Sequence, residues 1–214
     1  MQRLLDILLS GLALLVLSPL LLPIMLILRF TGEGEVFYTQ QRIGRGGKPF
    51  GLYKFATMLK NSPNIGTGTV TVKDDPRILP MGRFLRKTKI NELPQLLNIF
   101  RGDMSVIGPR PQTQRCFDAF PPQSQAEIIK VRPGLSGIGS IVFRDEEELM
   151  HASKEPERFY DEVIMPYKGA LEEWYVANQG LWTYLACIFV TAWVVLFPKS
   201  TLAWRVFRGL PAVP

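Results

Sequence analysis

The side chains able to do chemistry in this chain are few in kind. Its one histidine is His151, and its two cysteines, Cys116 and Cys187, stand 71 residues apart with no CxxC pair. Zinc fingers, iron–sulfur ligation, a disulfide scaffold and Ser–His or Cys–His catalysis therefore lack their residues, and acid–base or metal chemistry falls to carboxylates. Arg110 stands between Pro109 and Pro111. Two fixed φ angles would hold its guanidinium in a set direction, suited to a bidentate phosphate contact, although a surface turn reads the same way. Asn91 and Glu92 open an apolar periodic segment. Taken alone they are an N-cap and a first-turn acid that complements the helix dipole. The run Asp145 to Glu148 reads more readily as a solvated helix face than as a metal cluster.

The elements that must position these residues follow from the pattern around them. Leu93, Leu96, Leu97 and Phe100 fall at i, i+3, i+4 and i+7, which predicts a helix with a buried stripe; Pro94 is tolerable in its first turn. Upstream, Asp75-Pro76-Arg77-Ile78 is expected to start a short basic helix carrying Arg83, Arg86, Lys87 and Lys89, after an exposed loop over 61–75. Val36 to Arg42 and Pro49 to Ala56 read as two strands joined by a Gly-rich turn, a β-hairpin. That turn is no phosphate loop of the Walker type, because no Gly-Lys-Ser/Thr opens a helix after it. Arg132-Pro133-Gly134-Leu135-Ser136-Gly137 is a second rigid turn.

Charge and apolar residues are unevenly placed. Residues 4–28 hold one ionisable side chain, Asp6, whereas residues 29–115 hold 15 Lys/Arg against 6 Asp/Glu and residues 116–180 hold 6 against 12. The middle block is a candidate anion-binding region. Residues 4–28 would form a rod of roughly 37 Å, long enough for a hydrocarbon core of about 30 Å. Pro19 cannot donate to the Leu15 carbonyl, and Ser18 and Pro23 are expected to weaken the same stretch, so a kink is expected. An ordinary spanning helix and a re-entrant hairpin both fit. Arg3 before the segment and Arg29 after it give no inside–outside bias, as a re-entrant segment would show. The run is too long for a signal-peptide core and lacks an A-x-A-like site, so it is expected to stay in the mature protein. Residues 181–197 form a shorter uncharged run that contains Trp182 and Trp193 and is followed by Trp204 and Arg205, which favours a helix lying in the interface over a second span or a buried core helix.

The residues that carry a resemblance occur in order along the first 140 positions. They are the Ser18-Pro19 pair in the apolar helix, GEVFYTQQRIGRGGKPFGLYKFATM, DDPRILPMGRFLRKTKINELPQLLNIFRGDMSVIGPRP and RPGLSG. Together they resemble the bacterial sugar transferases, the monotopic phosphoglycosyl transferases. The resemblance implies an α/β fold in which a kinked re-entrant membrane helix (1–30) joins a small mixed domain (31–180). That domain has a β-hairpin and interfacial amphipathic helices, and an apolar C-terminal segment (181–214) follows. It implies transfer of a sugar 1-phosphate from a nucleoside diphosphate sugar to polyprenol phosphate, with Mg2+ as cofactor. The setting would be the cytoplasmic face of a bacterial inner membrane, at the start of surface glycan assembly. A basic block suits such a reaction, because two anionic substrates must be brought together. Nucleic-acid binding is poorly supported, since the basic residues adjoin membrane segments and no helix-turn-helix or RNP-like pattern is present.

Two departures from the family pattern matter. The family has an Asp-Glu pair at the start of the ELPQ helix, the Asp a nucleophile and the Glu tied to magnesium; here Asn91-Glu92 stands instead. A neutral amide does not replace a carboxylate nucleophile. Lys54-Phe55-Ala56-Thr57-Met58 also lacks the arginine of the usual Lys-Phe-Arg-Ser-Met. The resemblance then implies Glu92 on magnesium, Arg86 and Arg110 on phosphates, Lys54 assisting, Asn91 in the nucleophile's place and Asp103 as the next carboxylate. Glu92 as nucleophile, direct attack by polyprenol phosphate, and an inactive chain acting as a membrane adaptor stay open.

Overall fold

The computed structural model describes residues 1–65, 75–144, 155–198 and 200–212, so the Asp145–Glu148 run and His151 lie outside the described residues. The chain forms two compact units that share it in alternation. The first holds Met1–Asp6, Gln41–Phe50 and Gly102–Pro214; the second holds Ile7–Gln40 and Gly51–Arg101.

Helix α1 (Gln2–Phe30) runs unbroken through Pro19 and Pro23. Ser18 has a further role here. Its hydroxyl donates to the Leu15 carbonyl at 2.7 Å, the very acceptor that Pro19 leaves without an amide. In the second unit Leu14, Leu17, Leu21, Ile24, Met25 and Leu28, one face at helical spacing, pack with Phe55 and Leu85. Leu12, Leu15, Val16, Leu20, Leu22 and Leu26 are exposed. Among the described residues α1 alone is long and apolar enough to cross a membrane.

Strands β1 (Phe37–Ile43) and β2 (Pro49–Phe55) form the expected hairpin, with Phe37 stacked on Phe55 at its base. Helix α2 (Pro80–Lys87) begins five residues later than the sequence suggests. Asp75 and Arg77 are buried against each other instead. Arg77 Nη2 lies 2.5 Å from Asp75 Oδ2, and Arg77 Nη1 donates to the Ser62 and Ile65 carbonyls. That ion-paired turn consumes the groups a helix start would use. Helix α3 (Gln95–Arg101) completes the unit.

The first unit is built around β3 (Ser105–Ile107) and β4 (Gly134–Ser136), a parallel pair with Ser105 opposite Gly134 and Ile107 opposite Ser136. Small helices α4 (Gln114–Asp118) and α5 (Pro122–Ile128) lie between these strands in the chain, and α6 (Ile138–Val142) follows β4. Helix α7 (Pro156–Phe159) passes through a π-helical turn into α8 (Met165–Ala177), followed by α9 (Leu181–Leu196) and α10 (Leu202–Val206). Its core joins Ile107, Ile138, Leu171, Tyr184, Cys187 and Val190. Helix α9 buries Tyr184, Cys187 and Val190 and leaves Trp182, Leu185 and Phe189 exposed; at 16 residues it is about 24 Å long, short of a span.

The two rigid turns of the sequence meet here. A Cβ on Gly134 would lie 2.1 Å from the Gly108 nitrogen, and one on Gly137 would lie 2.2 Å from the Gly108 carbonyl oxygen. Only residues without side chains let the Gly108–Pro111 and Arg132–Gly137 backbones approach so closely.

Candidate active site

In the second unit three short segments converge. Gly82 lets α2 lie on the chain after β2, because a Cβ there would fall 2.1 Å from the Thr57 carbonyl oxygen, and the Leu79 amide donates to the same oxygen at 3.0 Å. Lys89 then takes a left-handed conformation, φ 59°, and turns the chain into a 3-10 turn, Ile90–Glu92, packed against α2. Asn98 on α3 is fully buried and ties that helix to β2. Its amide accepts from the Tyr53 nitrogen at 2.9 Å and donates to the Gly51 carbonyl at 2.8 Å, completing the strand's edge as a neighbouring strand would. Sequence reading passed over Asn98; a polar residue between Leu96, Leu97 and Ile99 was its signal.

These contacts place Lys54 Nζ 3.6 Å from Glu92 Oε1, with the side chains only 20% and 23% exposed. An ion pair so shielded interacts more strongly than one on the open surface. Arg86 sits in the last turn of α2, on the element packed against the Glu92 turn. Asn91 is 8% exposed, and its Oδ1 is buried with no hydrogen-bond partner among the described residues. It is not the N-cap the sequence suggests. Leu93, Leu96 and Leu97 donate their amides to the Ile90, Leu93 and Pro94 carbonyls in successive tight turns, so no amide is left for Asn91 to cap. The buried face of α3 is correspondingly Gln95, Leu96, Asn98 and Ile99, with Phe100 exposed, rather than the Leu93-Leu96-Leu97-Phe100 stripe.

Asp103 and Arg110 lie in the first unit, before and after β3. Arg110 is exposed between buried Pro109 and Pro111. The loop is fastened on both sides: the Pro111 carbonyl accepts from Arg42 Nη1 at 3.2 Å, and the Gln112 carbonyl accepts from the Ile43 amide at 2.9 Å. Glu172, buried on α8, accepts the Arg110 and Gly139 backbone amides; burial outweighs these bonds and the Lys168 ammonium and raises its carboxyl to about 7. Nothing in the sequence pattern set Glu172 apart from Glu173.

The donor set of the second unit suits a reaction on phosphates: a carboxylate, a shielded ammonium, an arginine on the neighbouring helix and an amide oxygen with no partner among the described residues. A family model described as Bacterial sugar transferase matches residues 1–198. The chain belongs to that family.

Individual members agree along its length. The exopolysaccharide production protein ExoY of Sinorhizobium fredii is 34% identical over 215 residues, covering 94% of this chain and 87% of that relative. The undecaprenyl-phosphate galactose phosphotransferase of Salmonella typhimurium is 33% identical over 211 residues, 92% of this chain but 40% of the relative. The UDP-glucose:undecaprenyl-phosphate glucose-1-phosphate transferase of Klebsiella pneumoniae is 32% identical over 204 residues, 93% of this chain and 41% of the relative. This bacterial sugar transferase thus spans nearly all of one relative and about two fifths of the other two.

Proposed function

We propose that the chain transfers a sugar 1-phosphate from a nucleoside diphosphate sugar to undecaprenyl phosphate, releasing a nucleoside monophosphate and opening the assembly of a surface glycan. The observation that carries this reading is the shielded Lys54–Glu92 pair beside the unpartnered Asn91 oxygen, at the sequence position where the family carries its carboxylate dyad. An acceptor phosphate oxygen bonds to the sugar-bearing phosphorus as the bridging P–O bond breaks. Lys54 and Arg86 counter the charge of the phosphates; for Arg110, exposed on its fastened loop in the first unit, the family resemblance is what suggests phosphate binding. Asn91 cannot form the phospho-sugar ester, so with Glu92 placed on magnesium this reading has the acceptor attack directly; Glu92 as the nucleophile is the active alternative.

Magnesium fits the residues present. Among the described residues no group of three His, Cys, Asp or Glu gathers, but this ion is commonly held by one or two carboxylates together with substrate phosphates and water. Glu92 would hold it, with the Asn91 Oδ1 as a neutral oxygen beside it. What the bound ion supplies is charge neutralisation on the diphosphate.

In this reading α1 is re-entrant and α9 rests in the interface, with the remaining chain on the cytoplasmic face of the inner membrane. The exposed apolar faces of both helices support their contact with lipid. The second reading is a non-catalytic membrane adaptor that binds polyprenol phosphate, favoured by Asn91 in the nucleophile's place. Incubation of the full chain with undecaprenyl phosphate, Mg2+ and a panel of sugar nucleotides separates the two. Release of nucleoside monophosphate with one donor is expected, and none with any donor leaves the adaptor.

A further inference from the structure

The first unit contains a cavity of about 250 Å3, bounded by the first turn of α1 (Gln2, Arg3, Asp6), the hairpin turn at Arg45, β3, and the segment Lys130–Arg132. Its lining carries four cations, Arg3, Arg45, Lys130 and Arg132, against one carboxylate, Asp6. That carboxylate is already engaged, since Asp6 Oδ1 accepts from the Ser105 hydroxyl, the Val106 amide and the Tyr184 hydroxyl, each at 2.9 Å. A further acid, Glu127, pairs with Lys130. The four cations still outnumber the two acids.

Two of the guanidinium groups are tethered through Nε. Arg132 Nε donates to the Gly102 carbonyl at 2.9 Å, and Arg45 Nε donates to the Lys130 carbonyl at 3.2 Å. Among the described residues these bonds occupy Nε alone and leave the terminal amino groups of both guanidinium groups for a ligand. The Gly46 amide donates to the Ile129 carbonyl at 2.7 Å and clamps the hairpin turn beside the segment. Arg3 lies over Gly102, where a Cβ would come within 3.2 Å of its Nη2. The Arg45 and Arg132 guanidinium groups, with Arg3 and Lys130 adding positive charge, border a space larger than the roughly 30 Å3 share of one water and form a receptor for a tetrahedral oxyanion, with the start of a long helix adding partial positive charge.

We infer that this cavity is a phosphate-binding pocket, separate in kind from the carboxylate-bearing site of the second unit. Two sources supply that chemistry, a phospholipid headgroup or free phosphate. The surroundings favour the headgroup: on the turn of α1 that carries Arg3, Leu4 is 62% exposed, and three residues beyond Gln179 in the lining, Trp182 is 75% exposed. Exposed apolar and indole groups of this kind enter the headgroup region of a bilayer. The inference stands apart from the transferase reading, because its test reads binding and not turnover.

The full chain in neutral detergent is titrated with short-chain phosphatidylglycerol, with inorganic phosphate, and with short-chain phosphatidylcholine, at constant ionic strength, and thermal unfolding is followed. A saturable upward shift with phosphatidylglycerol is expected, with apparent affinity weakened about tenfold or more in Arg45→Gln/Lys130→Gln. The same shift is expected unchanged in Arg83→Gln/Lys87→Gln, which removes equal charge from the exposed side of α2. Arg45→Lys, which keeps the charge and alters only an exposed side chain, is expected to bind more weakly while unfolding at the same temperature without ligand. A pocket-dependent response to inorganic phosphate as strong as that to the lipid assigns the pocket to free phosphate. No shift with either probe, or equal losses in the pocket and control variants, overturns the pocket.

Discussion

The Tyr184 hydroxyl donates a 2.9 Å hydrogen bond to Oδ1 of Asp6, joining α9 to the first turn of α1 across 178 residues of chain. The Ser105 hydroxyl and the Val106 amide donate to the same oxygen. The one acidic residue of an apolar segment is therefore a structural acceptor, buried and bonded to both a strand and a helix of the first unit.

Asp6→Ala would leave three buried donors without an acceptor. Losing one side of a buried charged network costs about 3–5 kcal/mol, so the variant should lose most of its folded population in detergent at temperatures where the wild type persists. Asp6→Asn keeps an oxygen at the same place and should lose less than half as much. Thermal unfolding of the two variants, followed by tryptophan fluorescence, tests the ordering.

Much of the architecture was legible because it rests on local pattern: the apolar helix, the hairpin, and two Pro-Gly turns. What pattern did not display lies where a side chain replaced a backbone partner. Ser18 supplies the hydrogen bond that Pro19 withholds, Asp75 and Arg77 form a buried pair where a helix start was expected, and Asn98 acts as a substitute strand edge. Each is a contact with a specific backbone atom, and periodicity carries no information about such contacts. Lys54 and Glu92 were named from a resemblance; their 3.6 Å approach depends on Asn98 and Gly82, whose roles only the packing displays.

Glu172 gives the fold a pH dependence of unusual sign. Burial raises its carboxyl from 4.5 to about 7, so the folded chain keeps a proton that the unfolded chain releases at lower pH. Folded protein then binds the extra proton between about pH 4.5 and 7, and stability falls as pH rises through that window, by no more than about 3 kcal/mol. The groups that share its field are Lys168 one turn away, Tyr175 and Cys187. Unfolding midpoints should decline from pH 5 to pH 7 in the wild type and change less in Glu172→Gln. Equal slopes in the two proteins would show that Glu172 is not the titrating group.

Arg110→Lys should lose most turnover, about tenfold or more, although the charge is kept, because an ammonium lacks the planar pair of donors that a phosphate accepts. Folding should be unaffected, since the side chain is exposed and Pro109 and Pro111 carry the buried contacts of the loop. Near-normal release of nucleoside monophosphate by this variant would make the loop a surface turn after all.

The decisive test concerns Asn91 and Glu92. Asn91 makes no capping bond and its Oδ1 has no partner among the described residues, so Asn91→Asp removes no contact of that oxygen. It does bury a charge. With Lys54 close to the adjacent Glu92, the cost to stability should stay within about 1–3 kcal/mol. If the chain is a dyad enzyme that lost its nucleophile, Asn91→Asp should gain a covalent phospho-sugar adduct when sugar nucleotide is supplied without acceptor, visible as added mass on the protein. If acceptor phosphate attacks directly, the wild type already releases nucleoside monophosphate, and only when undecaprenyl phosphate is present. If Glu92 is itself the nucleophile, the wild type carries the adduct without acceptor. In either active case Glu92→Gln should abolish release, because the anionic ligand for magnesium and the partner of Lys54 are lost while shape is kept. Unchanged magnesium-dependent release in Glu92→Gln would move the chemistry to another carboxylate, with Asp103 the first to replace.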